Sequence, residues 1–219
     1  MDRIAWGKMQ HPVRGLLHGT AAVLAVVGLV LLLAQAEPTV RHWVGAAVFG
    51  CALIAMFSIS SLYHSVPWSD QWKGRMQRVD HSLIFVLVAG TFTPFALIAL
   101  DGWARVLALT LIWGVAVTGV VLKLSLKRVR TPLSVGLQLG MGWAAVLIVP
   151  VIWTRLGPAA VALTLLGGLA YTIGSVFYAT KWPKLFPRVF SYHEIFHILV
   201  IAGAAFHYAV ILRYVMPLE

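Results

Sequence analysis

Blocks of about twenty apolar residues recur along this chain, and they limit its possible folds more than any other feature. A bilayer core about 30 Å thick is crossed by roughly 20 helical residues, because each residue rises about 1.5 Å. Helices satisfy their backbone hydrogen bonds internally, so they are the expected spanning element. Hydrophobic residues make up 60% of the 219 positions and charged residues only 11%. The sequence therefore predicts an all-α integral membrane protein.

Glycine, proline and charge clusters separate seven such blocks. The predicted transmembrane helices are residues 15–35, 43–64, 79–100, 104–123, 133–154, 158–180 and 190–214. The connections between them are too short to hold a soluble domain, so residues 1–219 are predicted to form a single seven-helix transmembrane domain. The first block ends in Ala34, Gln35 and Ala36, like a signal-peptide cleavage site, but its near-full membrane length favours a retained helix.

Lysine and arginine are distributed unevenly among the predicted loops. With the N-terminus inside, the cytoplasmic cations are Arg3, Lys8, Arg14, Lys73, Arg75, Arg78, Lys123, Lys127, Arg128, Arg130, Lys181, Lys184 and Arg188. The outside cations are Arg41, Arg105, Arg155 and Arg213. The positive-inside rule therefore predicts an inside N-terminus and an outside C-terminus. Topology and contact with anionic lipid headgroups explain the net charge of +10, and no basic segment is long enough for a nucleic-acid-binding domain.

Ionisable side chains inside membrane segments are the informative ones, because an Asp at a helix centre costs about 2.5–3.5 kcal/mol and usually marks function. In the predicted topology, three helix ends bring such groups to one cytoplasmic-side layer. Ser60 and His64 end the second helix, Asp80 begins the third, and His193 and His197 begin the seventh. Taken singly, each is more often an interfacial or bundle-facing group. Their shared depth favours a functional site.

The spacing of the histidines indicates a metal ligand set. Residues four apart lie about 40° apart around a helix, so His193 and His197 share a face, as do Ser60 and His64. Two imidazoles at this spacing can bind one Zn²⁺, and a third from another helix would complete a three-ligand site with an open position. Zinc makes hydroxide available from water at neutral pH. His207 lies about 15 Å further along the helix and is predicted to be outside this site.

These motifs resemble the bacterial hemolysin III family, within the progestin and adipoQ receptor superfamily, which is related to the alkaline ceramidases. The matching segments are Ser60-x-x-x-His64, VDHSLIFVLVAGTFTPF from Val79 to Phe95, and HEIFH from His193 to His197. The resemblance implies a zinc cofactor on the cytoplasmic side, held by His64, His193 and His197. It also implies that Asp80 holds the metal-bound water, with Ser60 close by.

The first helix departs from the family pattern. Members often open this helix with Glu-x-x-Asn-x-x-x-His, whereas the same spacing here reads His11, Arg14 and His18. A carboxylate is replaced by a histidine, so a substrate contact usually made by that glutamate does not carry over. His18 still enters the membrane at the cytoplasmic end. It is predicted either to be an interfacial histidine or to have a functional role.

The HEIFH segment also fits the H-E-x-x-H pattern of metalloproteases, in which Glu194 would be the general base. With only three fixed positions, the match carries little weight, and it gives Asp80 no role. We therefore predict that Asp80 is the general base. Glu194 is predicted to be a solvated, headgroup-facing carboxylate, or one that orients a metal ligand.

Small residues and prolines give predictions about packing. Gly15-x-x-x-Gly19 in the first helix and Gly136-x-x-x-Gly140 in the fifth predict close helix contacts. Pro94 and Pro150 are predicted to bend the third and fifth helices.

Together these features predict a zinc-dependent hydrolase of a lipid amide or ester in the inner (cytoplasmic) membrane of a bacterium. Its expected partners are membrane lipids and a lipid-like small-molecule substrate, and the sequence identifies no protein partner. Three alternatives remain: a receptor or signal transducer with a structural zinc, a pore-forming cytolysin, and an intramembrane protease. Short cytoplasmic loops disfavour the receptor. Polar residues concentrated at one side disfavour the pore, which needs a continuous polar path.

Overall fold

The residues that the structure describes form seven long helices, as the hydropathy pattern predicts. A computed structural model describes residues 9–126, 131–186 and 189–219. The helices are α1 (Pro12–Gln35), α2 (Val40–Ser65), α3 (Asp70–Pro94, extended by the π-helical turn Phe95–Ala99), α4 (Gly102–Ser125), α5 (Thr131–Trp143, then the 3₁₀ turn Ala144–Ile148 and the helix Val149–Leu156), α6 (Pro158–Thr180) and α7 (Tyr192–Val210, extended by the π-helical turn Ile211–Val215). Each of the seven is long and apolar enough to cross a membrane. The all-α, seven-helix prediction is confirmed.

Local sequence signals set several helix ends. Pro12 and Pro158 lie in the first turns of α1 and α6, where the missing backbone N–H leaves no helical bond unmade. Thr39 precedes α2, and its hydroxyl accepts a hydrogen bond from the backbone N–H of His42. Gly157 separates α5 from α6 with a φ of +85°, a backbone conformation that glycine adopts without steric cost.

α3 is the central helix of the bundle. In the apolar stretch of α3, 72% of the residues are buried, compared with 17% in the apolar stretches of α4 and of α5. α1 packs on α2, α2 on α3, α3 on α4, and α6 on α7, so chain neighbours are mostly spatial neighbours. The outer helices expose large apolar side chains such as Val23, Leu24, Val30, Val106 and Leu111. A surface of this kind suits contact with lipid hydrocarbon.

The two glycine pairs have different surroundings. A Cβ on Gly15 would collide with the Ser65 hydroxyl, and one on Gly19 would lie 3.0 Å from the Ser61 hydroxyl. The predicted close helix contact of α1 is therefore confirmed, and the helix it contacts is α2. Around Gly136 and Gly140, by contrast, an added Cβ would meet no atom within 4 Å. The predicted close contact of α5 is wrong, because this face of the helix packs against no other residue that the structure describes.

Two helices differ from their predicted course. α3 begins at Asp70, well before the predicted start at residue 79. Its charged first turns suggested a loop, but they continue the helix beyond the apolar block, and the Arg75 guanidinium lies 5.0 Å from the centre of the Trp72 ring. In α5 the irregular turn Ala144–Ile148 precedes Pro150, as expected when proline offers no N–H to the carbonyl four residues earlier.

Candidate metal centre

Three histidines from two helices meet at one end of the bundle. We call this the histidine end: α1, α3 and α7 begin there, and α2 and α4 end there. His64, His193 and His197 each place one ring nitrogen within 4.8 Å of the other two. The ring centroids are 5.3 Å apart for His64 and His193, 4.9 Å for His64 and His197, and 5.0 Å for His193 and His197.

The nitrogen atoms of this trio fit a metal ion. His64 is 2% exposed and His197 is 1% exposed. The Nδ1 atom of each is buried and has no hydrogen-bond partner among the residues that the structure describes. Buried polar atoms normally have partners, so these two unpartnered nitrogens need an explanation. Three imidazoles are a common donor set for zinc, and ligation would satisfy one nitrogen of each ring. These three residues therefore can hold a metal ion.

The start of α7 positions two of the three histidines. Glu194 Oε2 accepts a hydrogen bond of 2.7 Å from the backbone N–H of Ser191, within a capping box at the first turn of α7. The box fixes the turn that carries His193, and His197 follows one turn later on the same face. Sequence reasoning missed this role of Ser191. The signal was present as the S-x-x-E spacing from Ser191 to Glu194.

Glu194 is buried, so the prediction of a solvated, headgroup-facing carboxylate is wrong. It is 5% exposed, and its Oε1 accepts a hydrogen bond of 2.6 Å from Arg14 Nε in a salt bridge. Arg14 comes from α1, 180 residues earlier in the chain. A carboxylate that gains both a guanidinium and a backbone N–H can be buried because its charge is compensated. The pair ties α1 to the first turn of α7.

The other two residues of the unusual α1 sequence also contact the trio. His18 is 1% exposed, with its ring centroid 4.0 Å from that of His197, so an interfacial position is wrong. Both of its ring nitrogens are buried without a hydrogen-bond partner among the described residues. The His11 backbone N–H donates to the carbonyl of His64 at 2.8 Å, and the two rings lie 5.7 Å apart. α1 therefore forms one wall of the site.

Asp80 and Ser60 lie beside the trio on the central helices. Asp80 of α3 is 9% exposed, and Ser60 of α2 is 2% exposed. The Ser60 hydroxyl interacts with the Asp80 carboxyl. Ser60 precedes His64 by one helical turn, so α2 supplies both a histidine and the partner of Asp80. Both residues line the same cavity as His193 and His197. The predicted proximity of the five residues is therefore seen in the structure, while their chemical roles stay predictions.

The cavity has a volume of about 160 Å³. Its apolar lining includes Leu87, Phe92, Ile152, Phe196 and Val200. His207 borders it deeper in the bundle, with Nδ1 bonded to the Gly203 carbonyl at 2.8 Å and its ring stacked on Tyr171. His207 does not belong to the metal-binding trio, as predicted. The cavity thus combines an apolar interior with ionisable groups at the histidine end.

The sequence of the chain matches a family model described as haemolysin-III related over residues 7–208. The chain belongs to this family. Among its relatives, Hemolysin-3 homolog of Bacillus subtilis (strain 168) is 32% identical over 199 residues, covering 90% of each chain. Hemolysin-3 of Bacillus cereus is 30% identical over 219 residues, covering 99% of this chain and 97% of the relative. Adiponectin receptor protein of Drosophila melanogaster is 28% identical over 184 residues, covering 75% of this chain and 40% of the relative.

These relatives confirm the resemblance on which the sequence analysis relied. The haemolysin-III match extends from α1 into α7, so the histidine trio, Asp80 and Ser60 all lie within it. The similarity to an adiponectin receptor supports placement in the progestin and adipoQ receptor superfamily. This haemolysin-III-related chain is thus a multi-pass membrane protein with a histidine group that can hold a metal ion.

Proposed function

We propose that this protein is a zinc-dependent hydrolase that cleaves a lipid amide or ester at the cytoplasmic face of a bacterial inner membrane. One observation carries the proposal. One largely apolar cavity is lined by His193 and His197 of the histidine trio and by the buried carboxyl group of Asp80. Hydrolysis of a lipid needs each of these parts: a Lewis acid, a base, and a place for a hydrocarbon chain.

His64, His193 and His197 would hold the zinc, which when bound supplies Lewis-acid polarisation of a carbonyl group and of water. Asp80 would accept the proton of the attacking water as the carbon–oxygen bond forms. It would then deliver that proton to the leaving amine or alkoxide, so that a carboxylic acid and an amine or alcohol result. Ser60 would hold the Asp80 carboxyl in position. The apolar walls would bind the acyl chain and exclude bulk water.

The experiment that tests this proposal measures zinc and hydrolysis in the same preparations. We expect His64→Ala, His193→Ala and His197→Ala each to lower bound zinc and the thermal unfolding temperature, since the ion joins α2 to α7. His207→Ala, the control from the same cavity, should keep its zinc. The wild-type protein should hydrolyse one member of a panel of N-acyl and O-acyl lipids and lose that activity on zinc removal. Stoichiometric zinc in all three trio variants would remove the site.

The names of the two Bacillus relatives favour a second candidate, a cytolysin that permeabilises membranes. A pore needs a continuous polar path, but the polar groups of this bundle gather at the histidine end. They are the histidine trio, Asp80, Ser60 and the Arg14–Glu194 pair. Dye release from liposomes, measured beside hydrolysis, separates the two candidates. Release that is unaffected by His64→Ala and by zinc removal would favour the cytolysin.

A further inference from the structure

Lys123 is an unusual cation in this bundle. It lies in the last turn of α4 and is 8% exposed, and it is the one buried Lys or Arg within residues 9–126, 133–186 and 189–219. Three other cations near helix ends have carboxylate partners: Arg14 pairs with Glu194, and both Arg105 and Arg155 pair with Asp101. Within the described part of the chain, no carboxylate lies within 4.0 Å of the Lys123 ammonium group.

The position of Lys123 places it on the wall of the candidate substrate cavity. It lines the same cavity as Asp80, His193 and His197. Its charge acts on His81, which follows Asp80 on α3 and also borders the cavity. Because α4 ends at the histidine end, Lys123 lies at the same end of the bundle as His193 and His197, and apolar lining residues such as Ile152 and Val200 complete the cavity.

With a zinc dication bound to the histidine trio, the charges around this cavity would not balance without an anion. Arg14 and Glu194 cancel each other, and histidine ligands are neutral. A bound zinc dication, the Lys123 ammonium and the Asp80 carboxylate would then leave an excess of positive charge in a low-dielectric region. A buried charge without a partner is costly, and lysine is a common point-charge partner for carboxylate and phosphate oxygens. A ligand that carries a negative oxyanion would offset both the excess and the desolvation of Lys123.

We propose that Lys123 binds the head group of an acidic amphiphile, a carboxylate or a phosphate, whose hydrocarbon chain occupies the apolar part of the cavity. The proposal rests on the proposed function in taking this cavity as the substrate site. Independently of hydrolysis, the ligand should carry a negative charge. An acidic amphiphile should bind more tightly than a neutral one with the same chain, and Lys123 should be the cause of the difference.

Three amphiphiles with the same sixteen-carbon chain test this claim: hexadecanoate, hexadecyl phosphate and hexadecanol. Their dissociation constants are measured on the zinc-containing protein in phosphatidylcholine nanodiscs, by displacement of one neutral fluorescent alcohol. We expect Lys123→Gln to weaken binding of the two acidic compounds about tenfold or more, the scale of a hydrogen bond to a charged group, and to leave hexadecanol unchanged. Lys123→Arg should keep the preference. Lys181→Gln, which removes an exposed lysine at the same end, should have no effect.

Each result decides between the alternatives. Unchanged affinity for the acidic compounds in Lys123→Gln, or an equal loss for hexadecanol, would overturn the proposal. Displacement by millimolar inorganic phosphate that depends on Lys123 would show a free-anion site and overturn the amphiphile assignment. A Lys123-dependent charge preference in a protein that hydrolyses no lipid would sustain this proposal and remove only the hydrolase. If Lys123→Gln does not fold, equal wild-type affinities for hexadecanoate and hexadecanol would still overturn it.

Discussion

The two carboxyl groups at the histidine end, those of Glu194 and Asp80, have different surroundings, which suit them to different roles. Glu194 has one oxygen on Arg14 and the other on the backbone N–H of Ser191, so both serve the structure of α7. Asp80 has the Ser60 hydroxyl as its partner and borders the cavity. A general base needs access to the reacting water, and Asp80 has the better access.

Replacing each carboxyl by its amide should therefore give two different phenotypes. With a substrate identified, we expect Asp80→Asn to lower kcat by about 10²-fold or more while zinc stays bound, as for loss of a general base. Glu194→Gln should instead lower the unfolding temperature and zinc retention, because breaking a buried ion pair costs about 3–5 kcal/mol. Its zinc-loaded fraction should turn over at nearly the wild-type rate. Steady-state kinetics per bound zinc check both expectations.

Arg14→Ala is the matched control, since it breaks the same ion pair from the α1 side and should reproduce the stability loss of Glu194→Gln. The reverse ranking, an essential Glu194 with a dispensable Asp80, would move the protein toward the H-E-x-x-H protease alternative.

Part of this site could be predicted from the sequence. The i, i+4 spacing and the positions at helix ends predicted that His64, His193 and His197 lie in one layer. The family resemblance was needed to name these three as one ligand set. The burial of Glu194 and the depth of His18 were not predictable in this way. Both depend on contacts between α1 and α7, which lie at opposite ends of the chain, and no local pattern reports such contacts.

At the scale of helices, the close approach of α2 and α3 brings His64 and Ser60 beside Asp80. Gly90 of α3 permits this approach: a Cβ there would lie 2.6 Å from the Ala52 Cβ and 3.4 Å from the Val48 carbonyl oxygen of α2. Neither atom belongs to a flexible side chain, so the helices would have to separate to admit a methyl group. The position of Asp80 relative to the trio thus depends on this glycine.

Two glycine-to-alanine substitutions separate packing from helix propensity. Alanine is favoured over glycine inside helices by about 1 kcal/mol at either site. Gly114→Ala on α4 adds a methyl group where no atom lies within 4 Å, so its unfolding temperature should be unchanged or raised. Gly90→Ala should lower it, because overpacking costs about 1–3 kcal/mol. Thermal unfolding in detergent measures both. Equal shifts for the two variants would show that the α2–α3 contact is not tight.

The existence of the seven helices was easier to predict than their exact ends and internal irregularities. Mean hydropathy over twenty residues locates each span, because the bilayer sets its length. It does not report the polar extension of α3 from Asp70, since charged turns beyond the apolar block carry no membrane signal. Nor does it locate the irregular turn Ala144–Ile148, which follows from the chemistry of one proline rather than from average composition.

At the scale of the whole molecule, charge is asymmetric about the histidine end. The described cations on that side are Arg14, Lys73, Arg75, Arg78, Lys123, Lys181 and Lys184. Those on the other side are Arg41, Arg105, Arg155 and Arg213. The orientation prediction also used Arg3, Lys8, Lys127, Arg128, Arg130 and Arg188, which lie outside the described residues. The asymmetry places the histidine end in the cytoplasm if the positive-inside rule holds for this chain.

Cysteine labelling in intact cells tests that orientation. Cys51 is the single cysteine and is exposed, so Cys51→Ser provides the background. We expect Ser125→Cys, at the end of α4, to resist a membrane-impermeant maleimide until the cells are opened. Glu219→Cys, at the opposite end, should be labelled at once. Ready labelling of position 125 with protection of position 219 would place the metal site outside the cytoplasm.

The histidine trio that can hold a metal ion comes from α2 and α7, with four helices between them in the chain. A membrane protein is synthesised and inserted from its N-terminus, so His64 enters the bilayer long before His193 and His197 exist. The ligand set is therefore complete only once the last helix is in place. If the trio binds zinc, the metal would load late in biogenesis, and zinc occupancy would distinguish finished molecules from chains arrested before α7.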